Sequence, residues 1–269
     1  MSSEVNSTPS ILTAYSLRIG YKEKRETIEI ASQIDFNIQP SELVAVIGIN
    51  GSGKSTLLKT LSGIIPALAG DILINNTSIS SLQNKDLASK QSLVLTNETV
   101  SKQLSVFELV ALGRHPYTNW LGHLSQKDLS LVNEAIEQVG LLQKQHKTCD
   151  ALSDGQFQKV LIARALAQNT PLILMDEPTT HLDMYHKAYV LQLLKSIVKR
   201  SQKSILFASH EINLALQLCD KIILIDQGKV TYGTPSELIQ KGTFNSLFPK
   251  DLIVFDEVSQ SFRMKINTD

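Results

Sequence analysis

The sequence predicts an α/β fold with a mostly parallel sheet, an N-terminal antiparallel β subdomain and an inserted α-helical subdomain. Three observations carry this. Continuous apolar runs such as "ELVAVIG", "PLILMDEP" and "SILFASH" alternate with helical patterns, as buried parallel strands do. Ahead of them, "LTAYSLRIGY" and "ETIEIASQIDFNIQ" read as short strands, the second with period-two alternation. Between about residues 97 and 152 the patterns are helical and no strand is evident.

Taken in order, residues 1–10 are polar and read as a disordered tail. The two strand-like stretches run from Leu12 to about Gln39. "ELVAVIG" is a strand, followed by a Gly-rich turn and the helix "KSTLLKTLSGI"; "GDILINNTSI" reads as a hairpin and "QSLVLT" as a strand. The helical subdomain holds "SVFELVALG" and "QKDLSLVNEAIEQVGLL". "ALSDGQFQKVLIARALA" then begins with Ser153 three residues before Gln156, the spacing of a capping box. Phe157, Val160, Leu161, Ala165 and Leu166 give this helix one apolar face. "YHKAYVLQLLKSIVKRS" is a helix and "KIILIDQGKVTYG" a hairpin. Residues 11–242 read as one domain, and 243–269 as a C-terminal extension whose "LIVFDEVSQSFRMKI" forms a hairpin.

The 269 residues carry no net charge, are 42% hydrophobic and 19% charged, and suffice for a substantial core. A balanced charge argues against a general nucleic-acid binder. Cys149 and Cys219 have no metal-ligand or redox spacing and read as free thiols in a reducing compartment. The first residues lack the basic and apolar regions of a secretory signal. The apolar runs are far short of the roughly 20 residues of a membrane span. The reading is a soluble, cytosolic chain, with any membrane role supplied by a partner.

"GINGSGKST", Gly48 to Thr56, fits G-x-x-x-x-G-K-[ST] between a strand and a helix. Gly48, Gly51 and Gly53 permit turns in which the amides of the loop, with Asn50 and Ser52, point inward. With the helix N-terminus they form an anion nest for a triphosphate. Lys54 reaches the β and γ phosphates and the Ser55 hydroxyl ligates Mg2+. "LILMDEPTTHLD" adds Asp176 at a buried strand end for the same metal, and Glu177, on the opposite side of the strand, to take a proton from an attacking water. His210, ending the strand in "FASHE", falls in the crevice at the C-terminal strand ends, beside the γ-phosphate. His115, His123, His146, His181 and His186 show no metal spacing. At Ser153–Gln156 two readings stand, a structural cap or a helix start that binds an anion.

These motifs, in this order, resemble the nucleotide-binding subunits of ABC transporters over nearly the whole chain. "LSDGQ", Leu152 to Gln156, resembles the family signature LSGGQ; Ser153 lies 99 residues after Lys54 and 23 before Asp176, and His210 lies 33 after Glu177. The resemblance implies a P-loop NTPase core that hydrolyses ATP with Mg2+. Tyr21 stacks on adenine, Glu177 is the catalytic carboxylate, His210 the switch histidine, and "THLD" the D-loop ending in Asp183. Ser153, Gly155 and Gln156 face the ATP of a second copy in a head-to-tail dimer, Gly155 letting phosphate approach the backbone. Asp154 departs from the usual glycine and is expected to point outward. Thr96 or Asn97 stands where the family has a metal-sensing glutamine; Asn97 is assigned as the metal contact.

Within the family, "VFELVALGRHPYTNWLGHLSQKD" is similar to the helical segment of ATPases serving importers of iron-siderophore complexes, haem and cobalamin. This implies a peripheral subunit on the cytoplasmic face of the bacterial plasma membrane, docked through the helical subdomain to permease subunits, with a substrate-binding protein as an indirect partner and no nucleic acid. Phe107, Tyr117 and Trp120 are either anchors for that permease or lobe core. A zinc or manganese importer shares every catalytic motif. A non-transport ABC-type ATPase is disfavoured by the single cassette and by the lack of a coiled coil between Lys54 and Ser153, and a P-loop kinase has no use for "LSDGQ".

Overall fold

The computed structural model describes residues 10–23, 26–95, 100–249 and 251–265. Thr96, Asn97 and residues 1–9 of the expected tail lie outside them.

β1 (Leu12–Glu23) and β2 (Glu26–Ile38) pair as one antiparallel ribbon, longer than the short strands expected. Register shifts between Ala14 and Gly20 explain the length, because bulges take up the twist that would otherwise end so long a pair. After β3 (Leu43–Ile47) and α1 (Lys54–Leu61), β4 (Ala69–Ile74) pairs with β1 and forms a hairpin with β5 (Thr77–Ser78). The resulting four-stranded sheet has the order β2-β1-β4-β5. α2 (Asn84–Lys90) leads into β6 (Gln91–Val94).

The following stretch is helical, with α3 (Val106–Ala111) and α4 (Gln126–Gln138) and short 3-10 turns, joined at its ends by one antiparallel bridge between Ser105 and Thr148. α5 (Asp154–Ala167) returns the chain to β7 (Leu172–Asp176), α6 (Met184–Ser201), β8 (Ser204–Ser209), α7 (Ile212–Leu218), β9 (Lys221–Asp226) and β10 (Lys229–Gly233). These strands build a six-stranded sheet of order β10-β9-β3-β8-β7-β6, parallel except for the edge strand β10. α8 (Pro235–Gln240) precedes the hairpin of β11 (Ile253–Asp256) and β12 (Ser261–Met264).

Every residue of β3, β7 and β8 is buried, as a parallel sheet covered on both faces requires. Along β3 the side chains divide between two cores. Leu43, Ala45 and Ile47 face the helices α3 to α7, while Val44 and Val46 join α1 and the antiparallel sheet. The C-terminal ends of β3, β7 and β8 thus carry the loops beginning at Gly48, Glu177 and His210 to one edge.

α5 departs from the expected one-sided helix. Val160, Leu161, Ile162, Ala163, Ala165, Leu166 and Ala167 are all buried. The reason is its position: it packs on α3, α4 and β6 at once, so in its second half only Arg164 is partly exposed. Its C-terminus is held by Arg114, whose Nη1 donates to Ala167 O at 2.8 Å and Gln168 O at 3.0 Å. A cation there meets the negative end of the helix. Arg114 Nε also donates to Asp128 Oδ1 at 2.8 Å in a buried pair, and its guanidinium lies 4.1 Å from the Tyr117 ring centre. The Ser125 hydroxyl, with Arg114 behind it, pulls the Asp128 carboxyl down from 3.8 to about 2.

Candidate functional site

The loop after β3 is shaped by what its glycines exclude. A methyl group at Gly48 would lie 2.4 Å from Ile225 O, and one at Gly53 would lie 2.3 Å from Ile30 Cγ2. Both residues hold positive φ, 156° and 108°, which L side chains resist. Gly53 is the N-cap of α1 and offers no side-chain cap, so the first amides of that helix have no side-chain partner from the cap position. Lys54 folds back and donates to Gly48 O at 3.0 Å and Ile49 O at 3.1 Å. Burial lowers the Lys54 pKa, against the pull of Glu177 and Asp176. Ser52 Oγ is buried without a hydrogen-bond partner among the described residues. Asn50, Gly51, Lys54, Ser55, Thr56 and Glu177 line a cleft of about 430 Å³. Tyr21, half-exposed, is tied to this loop by a 3.0 Å hydrogen bond between its hydroxyl and Thr56 Oγ1.

β7 brings the carboxylates to the same place. Ser55 Oγ donates to Asp176 Oδ1 at 2.9 Å. Glu177 turns out of the strand with φ of 47°, a left-handed conformation costly for a residue with a side chain. Its amide donates to Ala208 O at 3.1 Å, and its carboxylate accepts from Thr180 Oγ1 at 2.9 Å. Because β8 lies beside β7, His210 Nδ1 comes within 3.7 Å of Glu177 Oε2. Its Nε2 is 3.0 Å from Glu211 Oε1, and Glu211 is in turn bonded to Lys187.

Ser153, Gly155 and Gln156 sit at the start of α5 and do not line the cleft over Lys54. Four helices among the described residues begin with capping boxes, and three have a carboxylate at the third position. There the backbone amide of the cap residue reaches Glu108, Asp128 and Glu237 at 2.8, 2.9 and 2.7 Å. In the fourth, Ser153 and Gln156 are each 3.4 Å from the other's amide. This cap is neutral and loosely closed. Asp154 is exposed and lines a cavity shared with Asp176 and Glu177.

Gly155 is buried against its own protomer, which gives a glycine there a second reason beside the expected approach of a phosphate. Its φ is ordinary, and a methyl group there would lie 2.7 Å from His186 Cδ2. His186, set aside by sequence reasoning, is bonded through Nδ1 to both oxygens of Asp183 at 2.9 Å. Asp183 caps α6 by accepting from the His186 amide at 2.8 Å. The D-x-x-H spacing was the available signal for this pair. Thr180 was also missed. Of the lobe aromatics, Phe107 packs on the core, Tyr117 covers Arg114, and Trp120 is 91% exposed.

A family model described as ABC transporter matches residues 31–180. The chain belongs to the ABC transporter family. It is similar to the petrobactin import ATP-binding protein of Bacillus anthracis, 37% identical with 83% of this chain and 82% of that protein covered. It is also similar to the iron(3+)-hydroxamate import ATP-binding protein of Bacillus subtilis, at 34%, 89% and 88%. A dimeric ATP-binding cassette in a post-hydrolysis state, bound to ADP and Pi, superposes with a TM-score of 0.71 at 28% identity, over 83% of this chain and 98% of that one. As a member of this family the chain is an ATP-binding subunit and an ATPase. No helix among the described residues is long and apolar enough to cross a membrane.

Proposed function

We propose that the chain is the ATPase of an importer of iron-siderophore complexes, haem or cobalamin, working as a two-fold pair against a membrane permease. The observation that carries the chemistry is the cleft lined by Lys54, Ser55 and Glu177, with Asp176 hydrogen-bonded to Ser55 beside it. The cargo class rests on the relatives named for petrobactin and iron(3+)-hydroxamate import.

The cradle fits a nucleoside triphosphate: a buried cation, an unpartnered Ser52 hydroxyl and two glycines where any side chain would intrude. Gly48, Asn50, Gly51, Ser52, Gly53 and Thr56 wrap the phosphates with their backbone, Lys54 leaves its carbonyl partners for the β and γ oxygens, and Tyr21 carries the adenine. Ser55 and Asp176 form a hard oxygen pair suited to Mg2+, which asks for few protein ligands. When bound, Mg2+ neutralises charge on the β and γ phosphates. Glu177, fixed by Thr180 and the Ala208 carbonyl, accepts the proton of the attacking water. His210 contacts the γ-phosphoryl from the neighbouring strand end. Asn97 remains our assignment for the metal-sensing position.

The second copy completes the site. Its Ser153, Gly155 and Gln156 present a helix start to the γ-phosphate, and its Asp183 lies alongside. The loose Ser153–Gln156 cap supports this role, because a neutral third residue does not repel the incoming anion as a carboxylate would. Both readings of the segment then apply in turn, cap before closure and anion site after it. Closure moves the helical subdomains, with Trp120 docked on the permease at the cytoplasmic face of the membrane and a substrate-binding protein delivering cargo on the other side.

The test is uptake by the native host lacking this chain, complemented with wild type or Glu177→Gln and offered labelled ferric siderophore, haem, cobalamin and zinc. Loss of one of the first three, restored by wild type only, is the expected outcome. A deficit confined to zinc, or none at all, would overturn the cargo assignment.

A further inference from the structure

We infer that His186 is a positioning residue for ATP hydrolysis, locking the signature turn at Gly155 to the Asp183 carboxylate within one protomer. This rests on the reading above, in which both segments act on the nucleotide of a second copy.

The three atoms nearest to a methyl group at Gly155 all belong to the His186 ring: Cδ2 at 2.7 Å, Cγ at 3.3 Å and Nε2 at 3.5 Å. Gly155 does not need to be glycine for its backbone conformation, since its φ is not positive. In this chain a side chain there is opposed because the His186 imidazole occupies the space a methyl group would fill. The opposite side of the ring system is fixed. Nδ1 is 2.9 Å from both Asp183 oxygens, and Tyr185 meets the ring edge-on at 5.4 Å.

The consequence is mechanical. Asp183 sits seven residues beyond Asp176, on the loop leaving β7, and Gly155 opens the helix of the other lobe. They share no backbone hydrogen bond. One imidazole fills the gap between them, in hydrogen-bond contact with one and van der Waals contact with the other. Two groups that must meet the partner's nucleotide together are thereby held at a fixed separation before the partner arrives, and preorganisation of that kind sets turnover rather than nucleotide capture.

The test uses the full chain and four variants. His186→Ala removes both contacts. His186→Asn keeps a donor near Nδ1 for Asp183 with less bulk under Gly155. Gly155→Ala introduces the clash, and a double variant combines it with His186→Ala. The readouts are kcat, KM for ATP, the unfolding midpoint, and ATP-driven dimerisation in a Glu177→Gln background. His186→Ala is expected to lower kcat about 10–100-fold, with nucleotide binding by the monomer and the unfolding midpoint unchanged. His186→Asn should recover most of the loss. The double variant should match His186→Ala alone, because the clash needs the ring.

Wild-type turnover in His186→Ala, additive costs in the double variant, or a loss that tracks the unfolding midpoint and is not rescued by Asn would each overturn the role. A wild-type chain that neither dimerises with ATP nor hydrolyses it would overturn the underlying reading, and this one with it.

Discussion

Ser55 Oγ donates to Asp176 Oδ1 across 2.9 Å, joining the first turn of α1 to the end of β7 although 121 residues separate them. The bond places two hard oxygen groups side by side, one from a helix and one from a strand end. A cation between them would draw on both, and the hydroxyl's proton would turn away to let its lone pairs face the metal.

Ser55→Ala is therefore expected to raise the Mg2+ concentration needed for half-maximal hydrolysis by about 10-fold or more. Folding should be little affected, because the residue is only partly buried. A magnesium titration of phosphate release checks this; an unchanged midpoint would remove Ser55 from the metal site.

Trp120 is almost wholly exposed and stands beside Leu121, 56% exposed. If these residues anchor the permease, Trp120→Ala should weaken the complex by on the order of 2 kcal/mol or more, the loss typical of a buried interface tryptophan. Co-purification with the permease reads the effect, and the unfolding midpoint of the free subunit should stay where it is. Undiminished co-purification would return this tryptophan to the ordinary exposed surface.

Asp128 gives a pH signature. Its folded pKa, about 2, lies below the ordinary value of 3.8, so the stability it contributes is complete above the higher value and is lost as pH falls toward the lower. The stability difference between wild type and Asp128→Asn should accordingly be constant from neutral pH down to about 5, then shrink through about 2. Denaturant unfolding at stepped pH measures it. Arg114→Ala should cost about 3–5 kcal/mol at neutral pH, since it strands the buried carboxylate.

Much of the site is legible in the sequence because its chemistry is written in contiguous runs. Gly48 to Thr56 is a single motif, and Asp176 and Glu177 close one apolar strand. His210 follows from strand adjacency, which the alternation of strands and helices implies. What escaped notice depends on distant packing. The Gly155–His186 contact joins residues 31 positions apart, and no periodicity announces that a histidine lies under a glycine. The burial of α5 on several sides could not be read from its own pattern, because it is set by α3, α4 and β6 together. Phe107 and Trp120 look alike in sequence and separate only when the lobe is folded, one inward and one outward.

The unequal caps have a consequence for how this protein can be improved. At Ser105, Ser125 and Thr234 the carboxylate three residues on makes a better helix and nothing is lost. At Gln156 the same change would tighten the helix and, in the proposed dimer, place negative charge where the partner's phosphate lands. Resistance to heat and speed of turnover therefore compete at one side chain. A protein engineer who optimised every helix start by the same rule would harden the fold and silence the motor.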